Sequence, residues 1–357
     1  MNNDFSNLIN AYKETLKDEK LYSDTRSTYW KKKYKQNDKF FDLKNLENFR
    51  NNQILSVGCD DSINLQNKLN LLECLEHFDD SYLKQNLPEQ NIGNCNYSEN
   101  FLGYYLDYSL VHHLKWYEKI EKYIKDNSNI LEIGGGFGSL ARIIIKNKNI
   151  KYFLIDLPEA NLLSNYYLQN HFPNKKIFNY SDFKKYKIEE EIKNFDIFIL
   201  PPNVLDKKNI FFDFIINTRS FMEMEKKTIS GYFNLIQTKI NDNGYFLNIN
   251  RYLKSVVDDD IYFHEYPYDD LWDTIISEKS FLQDRVHFLL TIRKKNIGNI
   301  HNEIKKIKEN KNIYIKYYVN RHIKRGIYLI LAKLFLFTFG KYKLKKISKV
   351  LYNLSLK

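Results

Sequence analysis

The residues with the most chemical content lie between Ile130 and Leu140, read as Ile-Leu-Glu-Ile-Gly-Gly-Gly-Phe-Gly-Ser-Leu. A short apolar run enters a turn built from Gly134, Gly135, Gly136 and Gly138, and a helical pattern follows from Leu140. Glycines let a backbone approach a ligand closely and adopt dihedrals that other residues resist. Backbone N–H groups at the start of the following helix then face whatever sits over the turn. The stretch reads as a strand–turn–helix that holds a nucleotide-like cofactor. A dinucleotide fingerprint, Gly-x-Gly-x-x-Gly, would need a glycine where the chain has Ser139. What stands there is acidic-x-Gly-x-Gly-x-Gly, running from Glu132 to Gly138.

A second acid fits the same chemistry. Lys151–Asp156 reads as the next strand, with Asp156 at its tip. A carboxylate in that place can accept two hydrogen bonds from a ribose diol. The competing use of Asp156 is to cap the helix that starts at Pro158. Leu157 and Asn217 complete the residues expected around the cofactor. Asp182 or Asn203 is expected near its base, depending on which of Lys176–Tyr180 and Phe195–Leu200 is the third strand of the sheet.

These residues need a scaffold, and the pattern around them supplies one. From Ile130 onward strand and helix signals alternate, as in a doubly wound α/β sheet. Strands are expected at Asp213–Asn217, Tyr245–Asn250 and Val286–Arg293, and helices at Glu159–Asn170, Glu189–Lys193 and from Met222 to Ile240. Asp269–Ser277 reads as a short helix. Upstream, Ser6–Lys17 and Ser62–Phe78 have helical spacing, Asn86–Asn100 looks like a loop, and Tyr104–Ile124 reads as one long helix. The expected organisation is a helical N-terminal region (1–100), a catalytic domain (101–295) and a basic helical tail (296–357).

Composition narrows the partners. Residues 296–357 carry 15 lysines and arginines against Glu303 and Glu309, while the other 295 residues hold 40 basic and 42 acidic groups. The net charge of +11 therefore belongs to the tail. Such an asymmetry suggests an anionic surface as the tail's partner. Gly326–Gly340 is apolar but shorter than the roughly 20 residues that span a bilayer, and basic clusters flank it. This is the pattern of an interfacial helix on an anionic leaflet, so residues 312–357 are expected to dock peripherally on a membrane. Cys59, Cys74 and Cys95 lack metal-ligand spacing and are odd in number, which points to a reducing, cytoplasmic compartment. The N-terminus shows no basic-then-apolar signal segment. Asp258-Asp259-Asp260 reads as a solvated acidic loop, and no metal is expected. Leu200-Pro201-Pro202-Asn203 lacks the flanking residues of amino-methylating nucleic-acid enzymes, and no nucleic-acid partner is expected.

The glycine pattern with Glu132 resembles motif I of the Rossmann-like class I S-adenosylmethionine (SAM) methyltransferases. Further blocks are similar to the bacterial sugar O-methyltransferases associated with surface polysaccharides: Leu154–Glu159, Ile216–Met224, Asn250-Arg251, Tyr266–Trp272 and His287–Arg293. The resemblance implies SAM as methyl donor and a sugar hydroxyl, on a cell-surface glycan or its precursor, as acceptor. By motif it places Glu132, Gly134, Gly136 and Asp156 on the cofactor. A sugar hydroxyl is a poor nucleophile near neutral pH, so a base that takes its proton is expected. That base should lie past the carboxyl ends of the strands. His264, Glu223 and Glu265 are the candidates. Glu223 could instead cap a helix, and His264 could be an ordinary loop residue. His112, His113 and His287 read as structural. Tyr262, Tyr266, Tyr268 and Trp272 suit either a sugar-stacking surface or the core.

Overall fold

The computed structural model describes residues 5–34, 43–51, 77–95, 99–101, 103–106, 108–254, 260–281, 283 and 285–309. Most of the expected Ser62–Phe78 helix, Asp258, Asp259, Cys59, Cys74 and the tail from residue 310 lie outside them.

Short, nearly continuous apolar runs build one large sheet. Its strands are β1 (Asn129–Ile133), β2 (Lys151–Ile155), β3 (Ile177–Phe178), β4 (Ile197–Leu200), β5 (Phe212–Thr218), β6 (Ile240–Arg251), β7 (Trp272–Lys279) and β8 (Val286–Arg293). Their order across the sheet is β7-β8-β6-β5-β1-β2-β4-β3. β1 to β6 run parallel, β8 pairs antiparallel with β6, and β7 antiparallel with β8. This is an open, mostly parallel α/β sheet of the doubly wound, Rossmann-like kind.

Because side chains alternate along a strand, each strand feeds two cores. Ile130, Leu154, Ile199, Phe214 and Ile216 pack on one face with α1 (Ser6–Lys17), α3 (Tyr108–Ile120), α4 (Ser139–Asn147) and α5 (Pro158–His171). Leu131, Ile133, Phe153, Phe198 and Ile215 pack on the other face with α7 (Lys226–Lys239) and with a helix over 300–309. Continuous apolar strands are what a sheet buried on both faces requires.

Several expectations change. Ile197–Leu200 is the strand beside β2, and Ile177–Phe178 only lengthens the edge beyond it. Asp269–Ser277 is not a helix: Trp272–Lys279 is the edge strand β7, zipped to β8 from Trp272↔Arg293 to Lys279↔His287. Its run Thr274-Ile275-Ile276 is β-branched, which favours the pleated state once a partner strand exists. Tyr104–Leu106 is a short strand paired with Glu99–Phe101, so the long helix begins only at Tyr108. Within 86–95, Leu87 and Cys95 are buried, so this loop is packed against the body.

The N-terminal segment is tied to the sheet's carboxyl edge. Leu8 and Tyr12 of α1 share the core of α5. After α1 the chain crosses to α2 (Thr28–Tyr34). Tyr180, at the start of α6 (Tyr180–Lys185), donates its hydroxyl to Asp18 at 2.6 Å. Arg26 meets both oxygens of the buried Glu159 carboxylate at 2.6 Å. Thr228 donates to the Asp24 carbonyl at 3.1 Å.

Candidate functional site

Strand order reverses at β1, with β2, β4 and β3 leading one way and β5 and β6 the other. Open α/β sheets bind ligands in the crevice past the carboxyl ends of strands at such a switch point. A cavity of about 540 Å³, counting its open mouth, lies there. Gly134 and Gly136 after β1, Ile155 and Asp156 at the end of β2, Leu157 and Ala160 at the head of α5, and Pro202 after β4 line it. Ser220, Glu223 and Met224 after β5, with Tyr232 of α7, line the opposite side, and Thr25 and Trp30 of the N-terminal segment close over it.

The turn is built so that only glycine serves at its first position. Gly134 has φ +72°, and a Cβ added there would sit 2.2 Å from the Ser220 Oγ. Its N–H donates to the Ile155 carbonyl at 2.8 Å, tying the turn to β2. Gly136 donates its N–H to Asp156 Oδ2 at 2.8 Å, and Leu157 donates to Oδ1 at 2.7 Å. The glycine turn and Asp156 are thus one unit. Asp156 does not cap α5, whose N-cap is Leu157. Each carboxylate oxygen has a second lone pair, and Asp156 is only partly covered, facing the cavity. Desolvation by the surrounding protein pushes its carboxyl up to about 7, the two N–H groups oppose that, and Glu223 and Glu159 add to it.

Glu132 sits beneath the turn instead of in the cavity. It is 1% exposed and accepts the Tyr152 hydroxyl at 2.7 Å. A Cβ on Gly135 would come within 2.8 Å of its Oε2. Burial raises the Glu132 carboxyl to about 7, opposed by the Tyr152 hydrogen bond. Gly138, at φ +87°, starts α4 and packs on Leu168.

The opposite wall is held by a chain of buried amides. Asn217 donates to the Ile133 carbonyl at 2.9 Å and to Ser220 Oγ at 2.5 Å. Asn250 donates to Asn217 Oδ1 at 2.8 Å and to Asn248 Oδ1 at 2.7 Å, and Asn248 donates to the Tyr268 hydroxyl at 2.9 Å. Asn250 Oδ1 accepts the Met222 N–H at 3.3 Å. This network ties the turn that carries Ser220 and Glu223 to β1, β5 and β6 together.

The expected site residues therefore separate. Gly134, Gly136, Asp156, Leu157 and Glu223 line the cavity; Glu132, Gly135, Gly138 and Asn217 hold its walls from behind. Asp182 has a different task, accepting the Asn179 N–H at 3.0 Å in the capping box of α6, and Pro202 takes the place expected of it. Neither His264 nor Glu265 is among the lining residues. His264 stacks on Tyr262 with centroids 5.2 Å apart, and Glu265 accepts the Tyr262 N–H at 2.8 Å, closing a short turn. Tyr266, Tyr268 and Trp272 are buried in the core, which removes them as a sugar-stacking surface. Thr25, Trp30, Met224 and Tyr232 were not expected at the site. Trp30 packs edge-on against Tyr29 at 5.1 Å, and Tyr29 is 40% exposed at that edge. Burial and then the nearby Glu223 carboxylate raise the Tyr29 phenol.

The residues present suit an adenosyl cofactor. Apolar Leu157, Ala160 and Pro202 line the cavity together with a carboxylate that has spare lone pairs. Among the described residues no three metal-ligating side chains cluster.

No protein-family description matches the chain, and no curated protein matches it. Among solved structures it is similar to a tRNA m1G37 methyltransferase from M. jannaschii, at 14% identity over 56% of this chain and 57% of that one, TM-score 0.33. It is also similar to an rRNA methylase from Streptococcus thermophilus, at 8% identity over 51% and 95%, TM-score 0.34. The pyocyanin biosynthetic protein PhzM matches at 7% identity over 52% and 56%, TM-score 0.34. The match thus spans little more than half the length of the tRNA enzyme and of PhzM. Overlaps this loose carry no argument about the acceptor.

Proposed function

We propose that the protein is a SAM-dependent O-methyltransferase whose acceptor is a sugar hydroxyl of a surface glycan or its precursor. The observation that carries the donor half is the meeting of the Gly134–Gly136 turn, Asp156 and Glu223 around one cavity at the strand-order switch. Bound SAM would supply a methyl group already activated on a sulfonium. Asp156 would accept hydrogen bonds from the ribose diol, the bare turn would let the ligand lie against the backbone, and Leu157, Ala160 and Pro202 would flank the base.

Methyl transfer needs alignment above all. Ser220 and Glu223 share a turn locked by the Asn217–Asn250 amides, so they are preorganised. Glu223 is the base in this reading, because it is the one sequence-level candidate that lines the cavity. It would take the acceptor's hydroxyl proton as the oxygen attacks. The acceptor half rests on the resemblance to sugar O-methyltransferases and on Tyr29 beside Glu223, an exposed ring of the kind sugars stack on.

The test is a methyl-transfer screen with labelled SAM over nucleotide sugars and lipid-linked glycans, run with wild type and Glu223→Gln. Product is expected with a sugar acceptor, and the substitution is expected to lower kcat by about 10²-fold or more, the usual range for a general base. S-adenosylhomocysteine (SAH) should still bind the variant. Equal kcat in both proteins would remove Glu223 from the chemistry, and transfer only to non-sugar acceptors would end the glycan assignment.

A further inference from the structure

Resting on the methyltransferase reading, we infer that the acceptor carries an anionic phosphoryl group, held by Arg219, Arg251 and Arg285 at the rim of the cavity. The three arginines come from adjacent strand ends. Arg219 directly follows β5, Arg251 is the last residue of β6, and Arg285 directly precedes β8. Register brings them together: Thr218 pairs with Ile249, and Arg251 pairs with Val286. The Tyr252 N–H donates to the Arg285 carbonyl at 2.9 Å, which closes the third corner. Ser220, next to Arg219, and Glu223 line the cavity, so the cluster stands on the acceptor side of the site.

Two independent features mark the cluster. Arg219 has φ +61°, a left-handed backbone that non-glycine residues adopt at a cost and that concentrates at functional sites. The Arg219 N–H fixes it there by donating to the Ile249 carbonyl at 2.7 Å. Arg251 is half-buried; burial lowers its pKa, and Arg219 and Arg285 lower it further, while Glu223 opposes them. Arg251 thus feels two further guanidinium groups and a single carboxylate, which concentrates positive charge at these strand ends. Guanidinium forks match phosphate oxygens in bidentate geometry. A nucleotide-activated sugar and a lipid-linked diphosphate sugar share that chemistry.

The experiment titrates the full chain, first free and then loaded with SAH, with inorganic pyrophosphate, with a uridine diphosphate hexose, and with vesicles containing a polyprenyl diphosphate against phosphatidylcholine vesicles. Wild type should bind pyrophosphate with an affinity that falls as salt rises. Arg251→Gln should weaken it about tenfold, as loss of a charged hydrogen-bonding partner does. Arg251→Lys should retain part of it, Arg219→Gln should weaken it in the same sense, and SAH affinity should be unchanged throughout. Tighter binding of the nucleotide sugar names that source, and binding of the diphosphate vesicles names the lipid one. Absence of pyrophosphate binding, or equal binding by wild type and the folded Arg251→Gln protein, overturns the proposal. So does an equal loss of SAH affinity, since the arginines would then serve the donor's carboxylate. Anion binding by ligand-free protein is read separately from SAH binding, so failure of the donor assignment is not mistaken for failure of this one.

Discussion

Asp156 is where the donor reading can be tested by a proton. Its carboxyl stands near 7 because the protein around it strips away water, with Glu223 and Glu159 adding to the effect. A diol donates hydrogen bonds, so a ribose selects the ionised form. As pH falls through about 7 the free site takes up a proton that the ligand must displace. SAH affinity should therefore drop about tenfold between pH 8 and pH 6 in wild type, read by titration calorimetry. Asp156→Asn should show no such slope. A wild-type affinity that stays level across this range would separate Asp156 from the ligand. Gly134, Gly136 and Asp156 were legible in the sequence because motif spacing and a strand tip are local signals. Thr25 and Trp30 were not, since nothing near them in the chain announces that they close over residues more than a hundred positions away. Glu132 was legible as an acid of the motif, but its partner Tyr152 and its place beneath the turn depend on the neighbouring strand.

Elements position these groups, and two of them matter most. One is the turn after β5, fixed by the buried amides of Asn217, Asn248 and Asn250. The other is the N-terminal segment across the cavity, fastened by the Arg26–Glu159 pair. Partly buried pairs of this kind are costly to break from one side. Arg26→Met should loosen residues 18–34, raising their amide exchange about tenfold or more, the scale of losing one to two kcal/mol of local stability. SAH release should quicken, while exchange in β1 and β2 stays as in wild type. Unchanged exchange over 18–34 would show that the segment is held by other contacts. Parallel strands were readable because they are continuous apolar runs between turn signals. β7 was not, because Leu271, Thr274 and Ile275 fall at helical spacing and only pairing with β8 decides their state.

At the scale of the whole molecule, two carboxyl groups among the described residues, Glu132 and Asp156, are held by the fold at about 7. The sign follows from proton uptake: between the ordinary carboxyl value and 7 the folded chain binds protons that the unfolded chain has released. Their stabilisation is complete at low pH and is lost as pH rises through 7. His171 and His287, which burial lowers to about 3, act in the opposite sense on the acid side. A difference measurement isolates one group. Stability of Glu132→Gln relative to wild type should rise by roughly 2–3 kcal/mol from pH 5 to pH 8, the linkage value for a shift of about two units, measured by urea unfolding. A constant difference would mean that Glu132 titrates normally. Among the described residues no helix is long and apolar enough to cross a membrane. Docking of residues 312–357 on an anionic leaflet stays a proposal that rests on composition.

Titration of the full chain with SAH at pH 8 bears on all three scales at once. The cavity between the Gly134 turn, Asp156 and Glu223 predicts saturable binding of one SAH per chain, weakened by roughly 1.5–3 kcal/mol in Asp156→Ala, the value of hydrogen bonds to a charged group. No heat of binding in folded wild type at saturating SAH, or the same affinity in Asp156→Ala, would contradict the account.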